Sequence, residues 1–83
     1  MIDVNKLASV QDKVYDRFNV NCMQYGDTYI KMVLAMAEMV VEQFPVEELT
    51  ADVQETLTCW NCHMLNHAID IIKHVDKYSL RRV

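Results

Sequence analysis

Apolar residues recur at spacings of three and four along almost the whole chain, so the pattern is helical from end to end. Leu7, Val10, Val14, Phe18, Cys22 and Tyr25 form one such stripe and predict a first helix over residues 3–25, with Asp3 as its N-cap. The segment Asn19-Val20-Asn21 weakens that helix and marks the place for a kink or fray. Gly26 supplies a left-handed residue after its end, and Asp27 caps the helix that follows.

The second helix, residues 28–44, differs in kind. Tyr29, Ile30, Met32, Val33, Leu34, Met36, Met39, Val40, Val41 and Phe44 cover most of its circumference, and Lys31, Glu38 and Glu42 share one narrow strip. A helix apolar nearly all round is expected to be buried nearly all round, as the central element with its methionines in the core. Pro45 ends it, because proline disfavours the helical conformation of the residue before it. The "PVEEL" that follows reads as a short turn.

Thr50 caps a third helix predicted to run unbroken over residues 51–78. Asp52 and Glu55 near its start and Lys73 and Lys77 near its end suit the helix dipole. Val53, Leu57, Trp60, Met64, His67, Ile71, His74 and Tyr78 alternate steps of four and three, as in a heptad seam. Cys62, Leu65, Ile69 and Ile72 make a second stripe, roughly 130° around the axis. A bundle of three helices covers one face of an outer helix, and leaving large aliphatics wet forgoes about 1.5–3 kcal/mol each. The expectation is an all-α three-helix bundle, a short helical hairpin plus a long C-terminal helix. It is expected to form a dimer or higher homo-oligomer through Leu65, Ile69 and Ile72, with Cys62 beside them.

Composition narrows this further. The chain has 83 residues, one Gly and one Pro, which suits a single domain of long helices and short connections. Its net charge is −4, and no Lys or Arg occurs between Lys31 and Lys73. Such an acidic middle opposes nucleic-acid binding, which needs clustered cations to displace counterions from phosphates. Glu47, Glu48, Asp52 and Glu55 instead offer an edge to a basic protein partner. No apolar run approaches the ~18 residues of a membrane span. "MIDVNKLASV" lacks the basic and apolar regions of a signal peptide, so a cytoplasmic protein with reduced thiols is expected.

One stretch carries chemistry-bearing residues close together: "CWNCH", Cys59 to His63. The pattern is the one that attaches haem in c-type cytochromes, and Cys59, His63 and His67 follow one another at the helical i, i+4 spacing of metal sites. On a continuous helix, however, these side chains radiate instead of converging. Cys59 also lies too far inside the helix for the terminal N–H groups that activate redox cysteines. His67, at a seam position, is expected to be a desolvated imidazole held by one partner, and its protonation near pH 6 would then loosen association. There is no Gly-rich phosphate loop, no serine nucleophile motif and no carboxylate pair in an apolar setting, so no catalytic residue is assigned. The expectation is a non-catalytic helical protein of bacterial or phage type, without a cofactor. It would associate with itself and bind another protein as regulator, inhibitor or accessory subunit. The alternative is a metal- or haem-binding protein centred on Cys59, Cys62, His63 and His67.

Overall fold

The computed structural model describes residues 2–22 and 25–82, and in the last helix the side chains through His74. Every regular element among these residues is helical: α1 (Val4–Arg17), α2 (Asp27–Gln43), a 3-10 turn (Val46–Glu48), α3 (Ala51–Cys59) and α4 (His63–Arg82). The all-α class is as expected. The number of helices is not, because four α-helices replace the predicted three.

Several boundaries follow from the signals in the sequence. Asp3 accepts hydrogen bonds from the N–H groups of Asn5 (3.0 Å) and Lys6 (3.4 Å), and Thr50 Oγ1 accepts from Val53 N–H at 3.4 Å. Phe44 is extended, φ −135° and ψ 145°, as a residue before proline must be. Gly26 adopts φ +68°, a region open to glycine, but as the N-cap of α2, with Asp27 one position further in as the first helical residue.

The first and third predicted helices both stop early, and for one reason. After α1, Asn19 turns left-handed at φ +57°. Its N–H donates to Asp16 O at 3.1 Å and that of Val20 to Tyr15 O at 3.0 Å. After α3, Asn61 does the same at φ +60°, with Asn61 N–H to Thr58 O at 3.1 Å and Cys62 N–H to Leu57 O at 2.9 Å. Both are Schellman ends in which asparagine, whose short side chain tolerates the left-handed region, takes the place usually given to glycine. The two segments share a pattern, "YDRFNV" and "LTCWNC": an apolar residue, an aromatic three positions on, then asparagine and another apolar residue.

The turn at Asn61 decides the packing. A straight helix over residues 51–78 would have carried α4 away from its own N-terminal third. Instead α3 folds back on α4, while α2 makes the most extensive contact with α4 and also packs on α1. The core gathers Leu7, Val10 and Val14 from α1, Met32, Val33, Met36 and Val40 from α2, and Leu57 from α3. From the last helix it takes Met64, Leu65, Ala68, Ile69 and Ile72.

This overturns the assembly surface expected from the sequence. Leu65 and Ile69 are 0% exposed, Ile72 is 5% exposed, and Cys62 is also buried, all within the one chain. They form its core and offer nothing to a partner. The apparent second stripe comes from measuring α4 against an axis continued from α3; measured on its own, the described part of α4, through His74, has one apolar face, from Met64 round to Ile69. The predicted seam loses its other members accordingly. Trp60, His67 and His74 are exposed and Ile71 is half-buried, while the side chain of Tyr78 lies outside those described.

Candidate functional site

"CWNCH" is the corner itself. Cys59 ends α3, Trp60 and Asn61 make the turn, Cys62 precedes α4 and His63 begins it. Cys59 and His63 are exposed, whereas Cys62 lies beneath the turn with its Sγ 3.7 Å from Trp60 O. Burial pushes the Cys62 thiol up from its ordinary value, and the charge of Asp12 adds to the effect. That is the opposite of what a thiolate ligand or redox nucleophile requires. Among the described residues, no three His, Cys, Asp or Glu side chains converge as metal ligands.

The corner is held from a distance. In a typical helix the N-cap side chain accepts the N–H of the third residue. Cys62 occupies the cap position, its carbonyl accepting from Asn66 N–H at 2.9 Å, and the third residue, Leu65, instead donates its N–H to Gln11 Oε1 of α1 at 3.2 Å. The α3–α4 pair is stitched along its polar edge. Gln54 Nε2 donates to Asp70 Oδ1 at 2.7 Å, Lys73 Nζ to Gln54 Oε1 at 2.9 Å, and Asn66 Nδ2 to both Gln54 O (3.0 Å) and Thr58 Oγ1 (2.7 Å).

His67 is exposed, so the desolvated imidazole expected at that position is not found. It does have a partner: Tyr29 Oη lies 2.7 Å from Nδ1, linking α2 to α4 and occupying one ring nitrogen. His67, Asp70, Ile71 and His74 line an open groove of about 360 Å³ on the outer side of α4. Of the acidic edge, Glu47, Asp52 and Glu55 are exposed and Glu48 is half-buried.

The face that stands out was not expected from the sequence. Ile30 is 55% exposed, Leu34 49% and Val41 52%. At 100° per residue they fall within an arc of about 40° on α2, turned well away from Met32, Val33, Met36 and Val40. Half-buried Ala37 completes the row, so that residues 30, 34, 37 and 41 repeat at four, three and four, a heptad seam in its own right. Lys31 and Glu38 run along one margin, both exposed. An apolar residue count placed these side chains in the core. The seam spacing with its flanking charges was the signal for a second, outward face.

No protein-family model, curated protein or solved structure matches this chain. Among the described residues, no helix is long and apolar enough to cross a membrane. The functional reading therefore rests on the surface just described.

Proposed function

We propose that this protein works without catalysis, as a small helical regulator, inhibitor or accessory subunit. It would act in a reducing cytoplasm and bind other protein through the outer stripe of α2. The observation that carries this is the row Ile30, Leu34 and Val41, each about half exposed and, among the described residues, the only aliphatic side chains among the exposed large hydrophobics, beside the aromatics Tyr25 and Trp60. A single exposed aliphatic needs no explanation, but a continuous row at seam spacing is the form in which one helix presents itself to another. Glu47, Asp52 and Glu55 give a basic partner an attractive approach, which raises encounter rate more than final affinity. A metal or haem reading at "CWNCH" draws less support, because Cys62 is buried under its own turn and Asn61 is engaged in a helix stop.

The test is substitution on the face. Leu34→Asp with Val41→Asp alters exposed positions only and is expected to leave the circular dichroism spectrum intact and stability nearly so. A photo-crosslinking residue at position 30, in the native host, should then capture protein in the parent chain and lose it in the double variant. Equal capture by both would remove the proposal.

A further inference from the structure

The occupant of the α2 face can be argued from the face itself. This rests on the reading of α2 as a binding surface and names its partner. We infer that the partner is a second copy of this chain, its α2 antiparallel to the first across a two-fold axis.

Register selects this pairing. In an antiparallel helix pair the seam residues meet in alternating layers, and residues immediately beside the seam face their equivalents across it. Centre the pair so that Ile30 lies opposite the partner's Val41 and Leu34 opposite the partner's Ala37. The flanking positions then place Lys31 opposite the partner's Glu38, and the two-fold axis repeats the pair as Glu38 opposite the partner's Lys31. With the two-fold copies counted, four apolar layers and two opposite-charge pairs come from one surface patch, as a self-complementary interface requires.

Other alignments are penalised. Sliding the pair by one heptad in one direction sets Lys31 against the partner's Lys31; sliding it in the other sets Glu38 against the partner's Glu38. In a parallel pair the charges would face the opposite margin of the seam, where Val33 and Val40 are already buried in the core. Among the described residues neither Lys31 nor Glu38 has an ion-pair partner within its own chain, so both are available. One sign pattern thus favours a single orientation and register and disfavours its neighbours, the way charges beside a seam specify pairing.

The face also bounds the affinity. A standard interface buries about 800 Å² on each partner, and one side of a four-turn helix supplies less. The dimer is expected to be reversible, with a dissociation constant on the order of 10–100 µM.

Sedimentation equilibrium on the full chain, from about 5 to 500 µM, should show this monomer–dimer transition. Lys31→Glu alone and Glu38→Lys alone each create like-charge pairs and should each weaken dimerisation about tenfold or more at low salt. An equimolar mixture of those two variants should recover parental affinity as a heterodimer, because each then meets the opposite charge. Leu34→Asp with Val41→Asp, its fold checked by circular dichroism, should be monomeric throughout. A parent chain that stays monomeric over the range overturns self-pairing and leaves the crosslinking test of the binding face standing. A dimer that survives Leu34→Asp with Val41→Asp places the interface elsewhere and overturns self-pairing through α2, again leaving the crosslinking test to decide the binding face. Dimerisation indifferent to the charge variants and their mixture overturns the antiparallel register.

Discussion

Replacing Asn61 distinguishes the folded corner from a continuous helix by the sign of its effect. At φ +60°, an ordinary L-residue pays roughly 1–2 kcal/mol for the left-handed conformation, of which asparagine is partly relieved. Asn61→Ala should therefore destabilise the protein by about 1 kcal/mol, and Asn61→Val by about 2 kcal/mol, because a β-branched side chain is worse still there. Asn61→Gly removes the Cβ penalty and loses some of that gain to the freer unfolded chain, leaving a change between zero and about +1 kcal/mol. In the interior of a straight helix the order reverses. Alanine would then stabilise by about 0.5 kcal/mol over asparagine, and glycine would cost a few tenths.

The deciding quantity is the difference between the glycine and alanine variants: about 1–2 kcal/mol in favour of glycine for a corner, about 1 kcal/mol in favour of alanine for a helix. For a chain this short 1 kcal/mol moves the melting temperature by roughly 4–8 °C, so thermal scans resolve it. Urea titration supplies a second readout, since the chain's one tryptophan, Trp60, is the C-cap of α3 beside the substituted position. If the alanine variant proves the more stable by both probes, the left-handed turn and the packing built on it are wrong.

Three further outcomes follow from the same corner and core. Gln11→Leu deprives the Leu65 N–H of its acceptor and should cost about 0.5–2 kcal/mol in urea unfolding, like loss of a conventional cap; no change would mean the cap is not made. Leu65→Ala should cost about 2–5 kcal/mol and Leu65→Asp should unfold the chain, whereas a folded, soluble Leu65→Asp variant would show that this side chain is not core. Stability should also fall at high pH: burial raises the thiol of Cys62 above its ordinary 9.0 and the phenol of Tyr15 above 10.0, in each case with the Asp12 charge contributing. Both groups are neutral when protonated, so the unfolded chain ionises first. Their contribution is intact below pH 9 and is lost as pH climbs through the folded values, and a urea midpoint unchanged between pH 8.5 and 10.5 would refute it.

The elements that sequence pattern made legible are those with a single physical cause. Asp3 and Thr50 cap because their oxygens suit exposed N–H groups, and Pro45 stops α2 because of its ring. Of the two asparagine stops, the first falls in the segment Asn19-Val20-Asn21 where a kink or fray is expected, whereas Asn61 stands alone and is harder to read, because asparagine differs from an average residue by only a few tenths of a kcal/mol inside a helix. What marks Asn19 and Asn61 is the company they keep: an apolar residue four positions before and one after, both drawn to the core when the chain turns between them. Missing Asn61 displaced everything downstream. It joined α3 to α4 in phase, split one apolar face into two, and assigned Leu65, Ile69 and Ile72 to a partner. It also turned "CWNCH" into a row of ligands on a rod, when its residues serve a change of direction.

The exposed stripe of α2 follows from the same corner. Three long helices would have to enclose the most apolar one to bury its circumference. With a fourth helix folded back, α4 takes the central place: its apolar face meets α2, while α3 packs along its edge. α2 is then an outer element, and an outer helix buries an arc, never its whole girth. Ile30, Leu34 and Val41 are what remains over. The physical premise, that a small bundle shelters one side of an outer helix, therefore survives with its subject changed from the last helix to the second. This makes the corner and the surface separable in experiment. Asn61→Gly, which keeps the turn, should leave the dimerisation of α2 untouched, and Lys31→Glu, which alters only the surface, should leave the melting temperature of the monomer nearly unchanged.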